Sequence, residues 1–296
     1  MSQFKSGFVS IVGRTNVGKS TLLNSFVGEK VAIISEKPQT TRWRIQGVRT
    51  YPEGQIVFID TPGIHKPKYK LSQMMVKLSL QSLKDVDLIL LMVDANKPFG
   101  SGDQFVINLL PKVDAPVFLL LNKIDLIKKE HLLPLIDKYQ TLFSFAEIIP
   151  ISALKGDNLD RLKNKVLEYL PAGAAYFPPD YFTDQSERTV VAELIREKIL
   201  SHTREELPYS TTVMVDSFKT DEDKKLIRIE AIIYVDKESH KGIIIGKDGS
   251  LLKRIGTQAR QDIEKVLNSK VFLQLWVKVK KGWRQDERFL QKLGLR

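Results

Sequence analysis

Gly13-Arg14-Thr15-Asn16-Val17-Gly18-Lys19-Ser20, followed by Thr21, decides the fold of this chain. The pattern is G-x-x-x-x-G-K-[ST], a loop whose inward backbone N–H groups cradle phosphate oxygens. Gly13 and Gly18 permit the tight turn. Lys19 is placed to neutralise the β- and γ-phosphates, and the Ser20 hydroxyl to ligate Mg²⁺. Residues 8–12 before the loop read as a buried strand, and residues 19–27 after it as a helix. A helix opening at Lys19 turns the positive end of its dipole toward the same phosphates.

Three further motifs follow, each at the end of an apolar strand-like run. Asp60-Thr61-Pro62-Gly63, then Ile64, comes after residues 55–59. Asp60 suits a water-bridged Mg²⁺, and the Gly63 N–H a γ-phosphate, so this segment can sense hydrolysis. Asn122-Lys123-Ile124-Asp125 closes the run 117–121. The Asp125 carboxylate accepts two hydrogen bonds from the N1–H and N2–H₂ edge of guanine. Adenine would oppose it with a lone pair, an expensive mismatch for a buried charge, so the residue selects GTP over ATP. The Lys123 stem can cover the base, and Asn122 can tie this loop to the first. Ser152-Ala153-Leu154 follows residues 148–151 and offers a backbone N–H to the guanine O6. Between the first two motifs, residues 35–44 form a polar stretch with adjacent threonines. One of their hydroxyls is expected on Mg²⁺ when the γ-phosphate is present; Thr41 is favoured and Thr40 is the alternative.

The hydrolytic machinery departs from a common plan. Many GTPases orient the attacking water with Gln directly after D-x-x-G. Ile64 stands there instead and cannot hydrogen-bond. His65 beside it reads as a surface residue. Asn16, inside the phosphate loop, can help ligate a monovalent cation such as K⁺, which would stabilise transition-state charge. The expected catalytic set is therefore Lys19, Asn16, Thr41 and Gly63, with Ser20, Thr41 and Asp60 around the metal.

Strand and helix signals alternate through the first half, with helical stretches at 72–83, 102–110 and 159–169. That alternation predicts a mostly parallel sheet covered by helices on both faces. Three prolines, a glycine and several aromatics break the pattern at 171–184. The second half reads as a small α+β domain: a helix at 190–202, strands at 210–218 and 225–235, a helix at 250–267 and a strand at 271–279. The expected division is 1–175, a linker at 176–186, and 187–296. No cysteine occurs among the 296 residues, which excludes disulfides, thiolate metal sites and cysteine nucleophiles. Apolar runs are far shorter than a membrane span, and no signal-peptide core precedes residue 6.

Charge is uneven. Residues 239–296 hold 14 Lys/Arg against 5 Asp/Glu, a net +9 of the chain's +11. Such a segment favours a polyanion, either nucleic acid or an anionic membrane surface.

With GRTNVGKST at 13–21, PQTTR at 38–42, DTPGI at 60–64 and NKID at 122–125 in hand, the chain resembles the Era-type bacterial GTPases of the TrmE–Era group over nearly its whole length. Ile64 fits the hydrophobic substitution of that group. The second half resembles a type II KH domain through Gly246-Lys247-Asp248-Gly249. In KH domains this GxxG loop clamps the backbone of about four nucleotides. Ile243, Ile244 and Ile245 are expected to floor the bases, and Lys241, Lys247, Lys253, Arg254, Lys278, Lys280 and Lys281 to meet phosphates. The resemblance implies a GTPase that binds the 3′ end of 16S ribosomal RNA during assembly of the 30S subunit, as a monomer in the cytoplasm. The terminal stretch 278–296 is basic and carries Trp283 and Phe289, with Trp276 just before it, so it can reach further RNA or rest on anionic lipid; the other reading has these aromatics packed onto the domain. The resemblance also implies peripheral contact with the inner face of the cell membrane. An RNA-binding module with a merely structural nucleotide site, and a membrane-associated cell-cycle switch, are the competing functions.

Overall fold

The computed structural model describes residues 3–64, 67, 69–222 and 225–295. Two compact units divide them. One comprises residues up to 32, 38–68 and 72–184; the other comprises 33–37, 69–71 and 185 onward.

The first unit is built on β1 (Lys5–Gly13), β2 (Ile45–Tyr51), β3 (Gly54–Asp60), β4 (Leu88–Asp94), β5 (Val117–Asn122) and β6 (Glu147–Ile151), in the spatial order β2-β3-β1-β4-β5-β6. Only β2 is antiparallel, paired with β3. The helices are α1 (Lys19–Val27), α2 (Lys70–Gln81), α3 (Ser101–Ile107), α4 (Leu132–Gln140) and α5 (Leu159–Tyr169). Side chains alternate across a strand, so a sheet covered on both faces needs apolar residues at every position. In β4, Leu88, Leu90 and Met92 enter one core with Leu22 and Phe26 of α1 and Leu162 and Val166 of α5. Ile89, Leu91 and Val93 enter the other with Val106 and Ile107 of α3 and Tyr139 of α4. The chain leaves β1 in one direction for β3 and returns in the other for β4. The loop after β1 therefore lies at the reversal of strand order, where open α/β sheets bind ligands.

Two features differ from the sequence expectation. Strand β2 was not anticipated, although Tyr51 and Gly54 flank a Pro-Glu turn of hairpin type. The stretch read as a linker is pinned along this edge. Gln55 accepts from the N–H groups of Tyr176 and Phe177 at 2.8 and 3.0 Å, and Val48 N–H donates to Phe182 O at 2.9 Å. The division between units consequently falls after Asp184.

The second unit runs α6 (Glu187–His202), β7 (Thr211–Asp221), β8 (Leu226–Val235), α7 (Glu238–Ile245), α8 (Ser250–Leu267), β9 (Lys270–Val279) and α9 (Glu287–Lys292). Strand β8 is central, antiparallel to β7 and parallel to β9. Helices α6 and α8 cover one sheet face. Ile255, Ala259 and Ile263, one turn apart on α8, pack with Leu194, Ile195 and Ile199 of α6 over Ile229, Ala231 and Ile233 of β8. Two short segments from earlier in the chain complete this unit. Ile33 is buried in its core. The Ile34 N–H donates to Glu197 at 3.0 Å, and Lys37 Nζ donates to the carbonyls of Leu200 and Thr203 at the end of α6. A cation there complements the negative helix terminus. Tyr69 lies under the Arg284 guanidinium, 4.3 Å from its ring centroid.

Candidate functional site

The four motifs converge at the C-terminal ends of β1, β3, β5 and β6. Lys19, the first residue of α1, is buried and folds back on its own loop, donating to Arg14 O at 2.9 Å and Gly13 O at 3.3 Å. Burial pushes its pKa down to about 8, against the pull of Asp60. Asp60 is fully buried, and burial pushes its carboxyl up from the usual range despite Lys19 and Ser20. Desolvation therefore outweighs their mutual attraction, and both ions await a stronger partner.

Ser20, Thr41 and Asp60 lie together. Ser20 Oγ lies 2.8 Å from Thr41 Oγ1 and 2.7 Å from Asp60 Oδ2, and Thr41 Oγ1 lies 3.5 Å from the same oxygen. Asp60 Oδ1 is buried without a hydrogen-bond partner. Two hydroxyls and a carboxylate with an unsatisfied buried oxygen form a hard-oxygen set that fits Mg²⁺.

Gly63 closes on the phosphate loop. A Cβ there would stand 2.6 Å from Thr15 Cα, and the next residue, Ile64, donates its N–H to Gly13 O at 3.1 Å. The Ile64 side chain is 2% exposed and packs into the core with Val12 and Leu91. It is structural, which explains why no water-orienting group occupies that position. Thr61 Oγ1 donates to Ile11 O at 3.0 Å, and Ser79 Oγ to Pro62 O at 2.8 Å, fixing the rest of the motif. His65 lies outside the described residues.

Asn122 ties three motifs together. Its Nδ2 donates to Val17 O at 2.7 Å, and its Oδ1 accepts from Ala153 N at 2.9 Å. Ser152 Oγ donates to Asp125 Oδ1 at 2.6 Å, orienting the carboxylate. Within Ser152-Ala153-Leu154 the first two N–H groups are used internally, Ser152 on Asp157 O at 3.2 Å. Leu154, 75% exposed, is left to offer its N–H to a base.

Lys123 bridges two loops in a way the sequence did not disclose. Its Nζ donates to Asn16 O at 2.9 Å and to Asp94 Oδ2 at 2.7 Å, while its backbone takes a φ of 69°. A left-handed non-glycine residue costs about 1–2 kcal/mol. Two bonds from an ammonium, each worth about 1.5–3 kcal/mol, outweigh that strain. Arg14 likewise pairs with Asp103 at the start of α3 at 2.8 Å, holding the loop's second residue aside. An acidic residue ending β4 was the only signal for Asp94, and many strands end that way.

The depressed Lys19 pKa makes a pH prediction. Below pH 8 the side chain is charged and nucleotide affinity is flat with respect to this group. Above pH 8 the ligand-free protein loses the charge that phosphate needs, so binding must take up a proton. Kd for GDP is expected to rise by up to about tenfold per pH unit between pH 8 and 9. Lys19→Arg, which keeps its charge, should bind without that slope in a fluorescent-nucleotide titration. An equal slope in both proteins would refute the assignment.

In the second unit the GKDG loop sits between α7 and α8. Gly246, Asp248 and Gly249 all have positive φ, of 74°, 51° and 75°. A Cβ on Gly249 would meet nothing within 4 Å, so the loop backbone is open to approach. Lys247, Lys253, Arg254, Lys278 and Lys281 are exposed, and Lys241 is half-buried. Lys280 is paired with Asp286 at 2.8 Å. The expected apolar floor needs correction. Residues 243–245 end helix α7, so successive side chains point in different directions. Ile244 is fully buried in the core, Ile243 is 56% exposed, and Ile245 is between them. Trp283 is fully buried, its Nε1 donating to Ser210 O at 2.9 Å, and Phe289 stacks edge-on against Tyr234. These aromatics pack the C-terminal segment onto the unit.

A P-loop nucleotide site with a guanine-reading loop, ahead of a βααβ unit with a GxxG turn, defines a GTPase joined to a KH domain. Family models agree: residues 8–123 match "50S ribosome-binding GTPase" and residues 206–284 match "KH domain". The GTPase Era of Alkaliphilus oremlandii (strain OhILAs) is 55% identical over 291 residues, covering 98% of this chain and 99% of the relative. A crystal structure of Era in complex with MgGDPNP and nucleotides 1506-1542 of 16S ribosomal RNA superposes with a TM-score of 0.96 at 45% identity, covering 99% of both chains. A variant of Aquifex aeolicus Era bound to GDP and AlF4⁻ gives 0.95 at 44% identity over the same shares. The chain belongs to the Era family, and it is a GTPase.

Proposed function

We propose that this protein is a GTP-driven switch whose KH unit takes hold of the 3′ end of 16S ribosomal RNA during assembly of the small ribosomal subunit. The observation that carries the reading is one chain holding both a complete guanine-nucleotide site, with Ser20, Thr41 and Asp60 converged, and an open GKDG loop in its basic segment. The Era complex with 16S RNA supports the choice of RNA.

In this reading Lys19 and the N–H groups of residues 13–20 hold the β- and γ-phosphates, and Asp125 holds guanine. Mg²⁺, held by Ser20, Thr41 and, through water, Asp60, would offset the charge on the β- and γ-oxygens. Thr41 and Gly63 are the γ-phosphate sensors. With Ile64 buried, the side chain directly after the D-x-x-G motif does not orient water, and hydrolysis rests on positioning and charge. Asn16 lies in the loop beside the phosphates, and its backbone oxygen is held by Lys123. Asn16 would help hold a monovalent cation, which would add to the charge compensation there. Turnover is expected to be slow, and faster in K⁺ than in equimolar Na⁺, with Asn16→Ala erasing the difference. Equal wild-type rates in the two salts would remove the cation.

The switch is tested by the affinity of a 16S 3′-end RNA at fixed salt, first with GDP and then with a non-hydrolysable GTP analogue. Tighter binding with the analogue is the expected result. Equal affinity would mean two independent modules. Of the three aromatics near the C-terminus, Trp283 and Phe289 are buried and Trp276 is exposed. No helix among the described residues is long and apolar enough to cross a membrane.

A further inference from the structure

We infer that the sheet face of the KH unit opposite its helices is a second RNA surface, a platform on which Phe272 and Trp276 stack unpaired bases. The inference rests on the reading that this unit binds RNA.

Along β9 the odd residues point inward: Val271 is 3% exposed, and Leu273, Leu275 and Val277 pack against the core. The even residues point outward, and there Phe272 is 49% exposed and Trp276 is 52% exposed. Outward positions on an edge strand are ordinarily given to charged or small polar residues, because exposed apolar edges invite aggregation. Two large aromatics at such positions need a partner. The chain's own C-terminal segment does not supply it. That segment caps the other end of the same face, where Phe289 meets Tyr234 with ring centroids 5.0 Å apart.

The face is equipped for nucleic acid. Arg228, the Cα partner of Phe272, holds its guanidinium 5.6 Å from the ring centroid. Lys219 is the Cα partner of Arg228, and Lys270 and Lys278 lie on β9 at the same outward parity. Against these four cations stand Glu230, Asp221 and Asp216, the last near Tyr234. Glu230 pairs with Gln274, midway between the aromatics. A carboxylate and an amide there can hydrogen-bond base edges, while bases stack on the rings and the rim cations meet phosphates. Phe272 and Trp276 are four residues apart on the strand, about 13 Å, a span that suits bases two apart in an extended single strand, with one nucleotide between them over Gln274. Because β9 is the edge strand, RNA longer than the four or so nucleotides held by a GxxG loop can pass over its edge onto this face. Anionic lipid fits less well, since the Glu230 carboxylate lies between the two aromatics.

The test compares, in the full-length protein, a single-stranded RNA of about four nucleotides with one about three times longer, for wild type, Trp276→Ala, Phe272→Ala and Trp276→Phe. Each alanine variant should weaken the longer RNA roughly tenfold or more and leave the short RNA unchanged, with Trp276→Phe restoring most of the loss. Unchanged affinity of the long RNA in both alanine variants overturns the inference. So does loss of binding to anionic vesicles with RNA affinity intact, which would assign the face to a membrane. A wild type that binds neither RNA would instead defeat the reading of the KH unit itself, and the platform with it.

Discussion

Replacing Asp125 by Asn should lower affinity for GTP by about 10³-fold or more and make xanthosine nucleotides the better ligands. The carboxylate is a pure acceptor, and Ser152 Oγ, 2.6 Å away, fixes its plane. Guanine presents two donors to it. An amide in the same place turns a donor toward the guanine amino group, leaving two donors opposed. Sites built to hydrogen-bond a substrate OH or NH reject an analogue lacking it by about 10⁴–10⁵. Xanthine has a carbonyl where guanine has the amino group, so the same amide can bond it. Competition of GTP and XTP against a fluorescent nucleotide measures the exchange of preference. A variant that still favours GTP would show that another group reads the base.

The second large effect belongs to Gly18→Ala. Gly18 has a φ of 106°, and a Cβ there would stand 2.2 Å from Asn122 Nδ2. The methyl group has no room, and Asn122 cannot yield without losing its bonds to Val17 O and Ala153 N. Those two bonds are the tie between the phosphate loop and both base-contacting segments. Their loss together with the backbone strain amounts to about 3 kcal/mol or more, a fall of over 100-fold in nucleotide affinity. Gly256→Ala on α8 is the control, since its nearest side-chain contact would be an ordinary 3.4 Å from Leu275. Nucleotide titration with a thermal melt of each variant separates lost binding from lost folding. Wild-type affinity in Gly18→Ala would mean that the tie is dispensable.

The nucleotide site was legible because its chemistry is local. Each motif is a short run at a strand end, and its spacing encodes the backbone geometry that phosphate and guanine require. The alternation of strand and helix signals likewise announced a sheet covered on both faces. What stayed hidden depends on long-range packing. Nothing near Asp94 distinguishes it from other strand-terminal acids until β4 and β5 bring it beside Lys123. Helix α7 is only eight residues long and has no side-chain cap, so three isoleucines in a row looked like one apolar surface. In a helix they fan out, and Ile244 went to the core. Strand β2 carries Gly47, a weak strand former, at the point where Leu23 and Val27 of α1 press against the backbone.

The short segment at 33–37 bears on how this protein can be taken apart. A fragment beginning at residue 185 would keep every KH element yet lack Ile33, leaving a hole in the core cluster to which it belongs, with the last carbonyls of α6 deprived of Lys37. Core truncations of that kind cost about 2–5 kcal/mol, a large share of what a domain of this size has to lose. The KH unit is thus encoded in three separate stretches of the gene, and no single cut yields it whole. In evolutionary terms the two halves are no longer interchangeable cassettes: a transplanted KH sequence would have to bring along residues from the GTPase segment that completes it.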